Sequence, residues 1–196
     1  MKKLIIFLVF IMCASQANGC EEFVSYEPSE LKEYRDLLSK VGADPIDRLF
    51  AFEKLVCSDK PIMRTYAVKV GLETTDNELV RNQIMLSAMM QKKRIDIELF
   101  PNKTATDLDK KFIQTHDGIY SVVVTYYSEK EGCLGLHGSR ECKANYSLII
   151  KGDKAEFKYG NHIGWFDLTS SGELVGVLKA GMDARYSSIP AKISLY

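Results

Sequence analysis

Between Asp44 and Lys93 the apolar positions recur at helical spacing, and a short pattern is written twice, about 17 residues apart. Ser58-Asp59-Lys60-Pro61-Ile62-Met63-Arg64 aligns with Thr75-Asp76-Asn77-Glu78-Leu79-Val80-Arg81, and Asp44-Pro45-Ile46-Asp47-Arg48 is a looser copy. Each copy predicts a helix start followed by an apolar stripe. The first stripe is Ile46, Leu49, Phe50, Phe52, Leu55 and Val56; the second is Ile62, Tyr66, Val68, Val70 and Leu72. The third is Leu79, Val80, Ile84, Met85, Leu86, Met89 and Met90, opened by a capping box of Thr75 and Glu78. Ahead of them, Ser29 is the expected cap of a shorter helix through Leu31, Tyr34, Leu37 and Leu38, ended by Gly42.

Beyond Arg94 the period changes. Ile95 to Leu99 alternates like a single strand, Pro101 stops it, and one or two helical turns are expected from Thr106 to Ile113. From Asp117 the composition turns to Val, Tyr and Thr, with short runs at Ile119–Tyr127, Tyr146–Lys151, Ala155–Tyr159, Gly164–Leu168, Glu173–Leu178 and Ala191–Leu195. Gly-bearing turns separate them, which predicts an antiparallel meander. About 80 residues are too few for an eight-stranded barrel around a ligand, so a curved open sheet is expected. The predicted fold class is α+β: a short N-terminal helical array, packed on or linked to a C-terminal β-meander. The organisation is a leader at 1–19, a helical region at 20–100, a connector at 101–116 and a β domain at 117–196.

The three helix starts, each an Asp with an Arg one turn later, resemble HEAT-like helical repeats. Asp59, Pro61, Arg64, Ala67 and Leu72 carry the likeness, with Asp76, Arg81 and Ile84 as the second copy. The resemblance implies protein–protein contact. Arg64 and Arg81 are expected to bond first-turn carboxylates or the neighbouring repeat.

Lys2 and Lys3, the apolar run Leu4–Met12 and the small residues Ala14 to Gly19 read as a secretory signal peptide, cleaved after Ala17 or Gly19. The run is short of the roughly 20 apolar residues that span a bilayer, so no membrane span should remain after cleavage. Acylation at Cys20 is the less favoured alternative, because Ala17 stands where lipid-attachment signals place Leu. Apart from Cys13 in the leader, four cysteines remain, and an exported chain pairs them; Cys20–Cys57 and Cys133–Cys142 are the preferred bridges. Periplasmic or secreted localisation follows.

Lysines and arginines number 26, as do aspartates and glutamates; without Lys2 and Lys3 there are 24 against 26. A near-neutral chain does not recruit nucleic acid. His116, His137 and His162 have neither HExxH nor helical spacing, so they predict no metal site, and no motif predicts a cofactor or a catalytic residue. A hydrolase built from distant residues would centre on His162 and Asp167. The aromatic set on the strands is the better lead: Tyr120, Tyr126, Tyr159, Trp165 and Phe166 are the predicted binding residues, on a strip suited to another protein or, alternatively, to a small ligand on the curved sheet.

Overall fold

The structure, a computed structural model, describes Cys20 and residues 22–196. The expected leader, its cleavage point and Cys13 lie outside these residues. Helix α1 (Pro28–Ser39) starts two residues earlier than expected: Glu27 is its cap, and the Glu27 N–H donates to Glu30 Oε2 at 2.9 Å. Pro28 takes the first helical position, where no donor is needed, so Ser29 lies inside the helix. Helix α2 (Pro45–Val56) is capped as expected, with Asp44 Oδ1 accepting from the Ile46 N–H at 2.8 Å. Helix α3 (Pro61–Thr74) opens at Lys60. Helix α4 (Glu78–Met90) is capped by Asn77, whose Oδ1 accepts from the Val80 N–H at 3.1 Å. The expected Thr75–Glu78 box does not form, because Asn77 is closer to the free donors and Thr75 Oγ1 instead accepts from the Asn77 N–H.

The helices share a core of Phe52, Leu55, Ala67, Leu72, Ile84 and Met85, each fully buried. Gly71 makes the α3–α4 approach possible: a Cβ there would lie 2.8 Å from Ile84 Cδ1. The three arginines at equivalent places bind helix-end carbonyls rather than the first-turn carboxylates. Buried Arg48 donates to the carbonyls of Lys40 and Thr74, at the ends of α1 and α3. Arg64 donates to the Ser58 carbonyl just past α2, at 2.8 Å, and Arg81 to those of Leu72 and Thr169. Carbonyls in a last helical turn lack intrahelical partners and carry the negative end of the helix dipole, so cations settle there.

The sheet is a closed eight-stranded barrel, not an open meander. Strands β1 (Arg94–Leu99), β2 (Ile119–Ser128), β3 (Cys133–Leu136), β4 (Tyr146–Lys151), β5 (Lys154–Tyr159), β6 (His162–Leu168), β7 (Glu173–Lys179) and β8 (Ser188–Ser194) pair antiparallel in chain order. β8 closes on β1 through Glu98↔Lys192 and Leu99↔Ala191. Two strands make the difference from the expected sheet. β1, expected as a lone strand at the end of the helical region, is the first strand of the barrel, and β3, with all four residues buried, shows no alternation to read. The stretch read as a connector holds helix α5 (Asp107–Thr115). Ile97, Leu134, Leu148, Phe157, Phe166 and Leu178 are 0–2% exposed and fill the interior, as eight strands allow. Gly164 leaves room for the Phe166 ring, since a Cβ would lie 2.7 Å from Phe166 Cε2.

The helical array caps one barrel end. Arg81 Nη2 reaches the Thr169 carbonyl at 2.8 Å, Leu72 lies against Gly172, and the Tyr127 hydroxyl donates to the Lys92 carbonyl at 2.7 Å. Both expected disulfides are present: Cys20–Cys57 ties the N-terminal segment to the end of α2, and Cys133–Cys142 clips β3 to the loop after it. Among the described residues no helix is long and apolar enough to cross a membrane.

Candidate functional site

In an up-and-down barrel every second loop returns to the same end. Here α5, the β3–β4 loop, the β5–β6 turn and the β7–β8 loop all lie at the end opposite the helical array. They bring the chain's three histidines together with Tyr120, Tyr146 and Tyr159. His137 stacks on Tyr146 (centroids 5.1 Å apart, interplanar angle 21°) and meets Tyr159 edge-on at 5.4 Å. Tyr159 is 6.3 Å from Tyr120, and Tyr120 is 5.2 Å from His162 and 4.9 Å from His116. Phe112 of α5 closes the chain of rings, 4.6 Å from His116 and 5.3 Å from His162. Edge-to-face contacts of this kind add to the burial of each ring.

A capping box and a buried carboxylate hold α5 in place. Asp109, fully buried, accepts through Oδ2 from Thr106 N and Oγ1 at 2.8 Å, and from Ser187 N at 3.1 Å and Oγ at 2.6 Å. Burial alone would raise its pKa; the bonds from Ser187 and Thr106 outweigh that and hold it below the ordinary carboxylate value. Across the same end, the His162 Nδ1–H donates to the Ala180 carbonyl at 2.8 Å, leaving Nε2 as the acceptor of the neutral ring. Burial pushes the His162 pKa down; the Ala180 carbonyl opposes this and the neighbouring His116 adds to it. Burial, with a smaller contribution from Tyr159, drives the Tyr120 hydroxyl above its ordinary range.

The exposed part of this end is His137 with the faces of Tyr146 and Tyr159. The Tyr159 hydroxyl donates to His137 Nδ1 at 2.7 Å when the ring carries its proton on Nε2. His137 sits at φ 58° and Asp117 at φ 49°, the non-glycine residues with positive φ among those described. Such conformations cost of order 1–3 kcal/mol and concentrate at functional sites. The Cys133–Cys142 bridge closes the loop that carries His137.

The predicted binding residues separate into different places. Tyr120 and Phe166 point into the barrel, 6% and 2% exposed, because their even positions on β2 and β6 face the core. Tyr159 is at the rim of the free end, and Tyr126 lies over Gly135 beside the β2–β3 bulge. Trp165 stands on the outer wall, 48% exposed. They form no single strip, since strand alternation sends neighbours to opposite faces. His162 and Asp167 are likewise apart: His162 faces the barrel end, and Asp167 faces outward, paired with Lys154. The three histidines stand 21 and 25 residues apart in the sequence with no motif spacing, which hid their convergence. The available signal was position: Tyr120, Tyr146, Tyr159 and His162 all stand at or next to strand ends that a closed meander returns to one side.

The end offers aromatic faces, the exposed imidazole of His137, the half-buried imidazoles of His116 and His162, and two phenolic hydroxyls. Among the described residues no group of three or more His, Cys, Asp or Glu is placed to hold a metal ion. No protein-family model, curated protein or solved structure matches the chain.

Proposed function

We propose that this is an exported, disulfide-stabilised, non-catalytic binding protein that engages a protein partner through the free end of its barrel. The observation that carries the reading is the convergence of His137, Tyr146 and Tyr159 on one exposed rim, with His137 held in a left-handed conformation by a clipped loop. Aromatic side chains that keep a polar handle are the usual anchors of protein interfaces. The helical array, read as a short HEAT-like unit, serves as the cap of the opposite end. Two disulfides and the leader pattern support export. A small ligand inside the curved sheet is the weaker reading, because the interior is filled by side chains.

A photo-crosslinking residue at position 146, compared with one at exposed Lys69 on α3, tests the reading in the exported fraction of the source cell. A defined adduct from position 146 that disappears in His137→Ala is expected. Equal labelling from both positions would remove the rim as the interface.

A further inference from the structure

On the outer wall of the barrel, β5 and β6 place Ala155 opposite Phe166, and both side chains point inward. The outer surface over that pair is therefore bare backbone. Taller outward side chains stand on either side: Ile149, Glu156 and Trp165 in one row, Lys151, Lys154 and Asp167 in the next. The groove between them has a volume of about 390 Å³, within the range of small-ligand sites, roughly 300–1,000 Å³. Its largest apolar surface is the indole of Trp165, the only tryptophan of the chain, left 48% exposed.

The charges around the indole decide what it suits. Lys154 is paired with Asp167, and Glu156 with Lys158 at 2.9 Å. The groove itself is lined by two lysines and two carboxylates, so it carries no net charge and favours neither anion nor cation. Each pair leaves carboxylate lone pairs and ammonium protons unused at the edge of the ring. Hydrogen bonds to such charged groups are stronger than neutral ones. An extended peptide finds no strand edge here: β5 is bonded to β4 and β6, and β6 to β5 and β7, so the ladder N–H and C=O groups are spent. The complementary ligand is uncharged, has one apolar face to lie on the indole, and carries hydroxyls around its rim.

We propose that the Trp165 groove binds a neutral glycan, with a sugar ring stacked on the indole and its hydroxyls bonded to Glu156, Lys154 and Asp167. The site is separate from the rim of the barrel, and its test does not depend on the rim reading.

Trp165 supplies the probe, because all tryptophan emission comes from this groove. The full mature chain is titrated with cellotetraose, maltotetraose, xylotetraose and chitotetraose, and separately with an uncharged peptide of similar length. A saturable change in emission with at least one oligosaccharide and none with the peptide is expected. In calorimetry, Trp165→Ala should abolish the binding heat, and Glu156→Gln should weaken affinity at least tenfold. Both residues face outward, so unchanged far-UV circular dichroism will show that the fold is intact. Silence with all four oligosaccharides, a response to the peptide, or full binding by Trp165→Ala would each overturn the proposal.

Discussion

Asp109 concentrates more of the free end's order than any neighbour, and its replacement gives a quantitative test. In Asp109→Ala the backbone N–H groups of Thr106 and Ser187 lose their acceptor in a site with no exposed surface; the two hydroxyls can rotate elsewhere. Leaving a buried donor unmade costs about 1–3 kcal/mol, and here two backbone donors are stranded together with the lost charge-assisted bonds from the hydroxyls. A loss of about 3–5 kcal/mol is therefore expected for Asp109→Ala. Asp109→Asn keeps one accepting oxygen but sets an NH₂ where Oδ1 has no partner, so a loss of about 2–3 kcal/mol is expected. Urea unfolding at neutral pH measures both, and hydrogen exchange of the Asp107–Thr115 amides shows whether α5 is released before the barrel. The pH dependence has a fixed sign. The folded pKa lies below the ordinary value of 3.8, so the stabilisation is complete above 3.8 and is lost as pH falls through the folded value. The gap between wild type and the Asn variant must narrow only in that acid range. An Ala variant within about 1 kcal/mol of wild type, or a gap that closes near neutrality, would refute the role of this carboxylate as the anchor of α5.

Arg48→Ala should cost about 3 kcal/mol in urea unfolding, because it removes a buried guanidinium that serves two part-buried helix-end carbonyls, whereas exposed Lys69→Ala should stay within about 0.5 kcal/mol. Arg64→Ala should fall between them, since it donates to one carbonyl and lies over Phe23 at 4.4 Å. Replacing Cys133 and Cys142 by Ser should lower stability by about 2.5 kcal/mol on the chain-entropy estimate for so short a loop, and thiol titration of the unreduced mature protein should find no free cysteine. His162 is held neutral, with its pKa lowered from 6.5, so its contribution is intact above pH 6.5 and declines as pH falls from there toward the folded value. His162→Asn should flatten the stability profile over that interval, and an unchanged profile would count against the burial of this imidazole.

Helix stripes were legible in part, because amphipathic spacing reports burial: Phe52, Leu55, Leu72, Ile84 and Met89 are core residues, but Ile46, Ile62 and Leu79, in the first turns of α2, α3 and α4, are 72–80% exposed. Helix starts were less so. The Asp44 cap was readable, but Ser29 and Thr75 lost to Glu27 and Asn77, each two residues away, a difference that local hydrogen-bond geometry decides. Both disulfides followed from the even count of cysteines and their placement. Closure was not legible. It depends on β1, separated from β2 by α5, and on β3, whose four buried residues carry no period. The free-end cluster depended on closure in turn, since only a closed ring brings Tyr146 and His162 near Tyr120 and His116.

Closing the ring joins the strands farthest apart along the barrel's own sequence. The β1–β8 seam is short, and Lys192 spans it, reaching Glu98 of β1 at 3.4 Å while holding Glu173 of β7 at 3.1 Å. Every other pairing links consecutive strands, at a lower loop-closure cost than the seam, so the seam is expected to be the last contact to form. Until it closes, β1 and β8 are both open edges, able to pair with another chain as readily as with each other. The helical array is complete before β1 in the chain and is fixed to the β6–β7 turn through Arg81 and Thr169. It therefore holds the start of β1 beside the growing sheet while β8 is still being placed, and favours closure within one molecule over association between two.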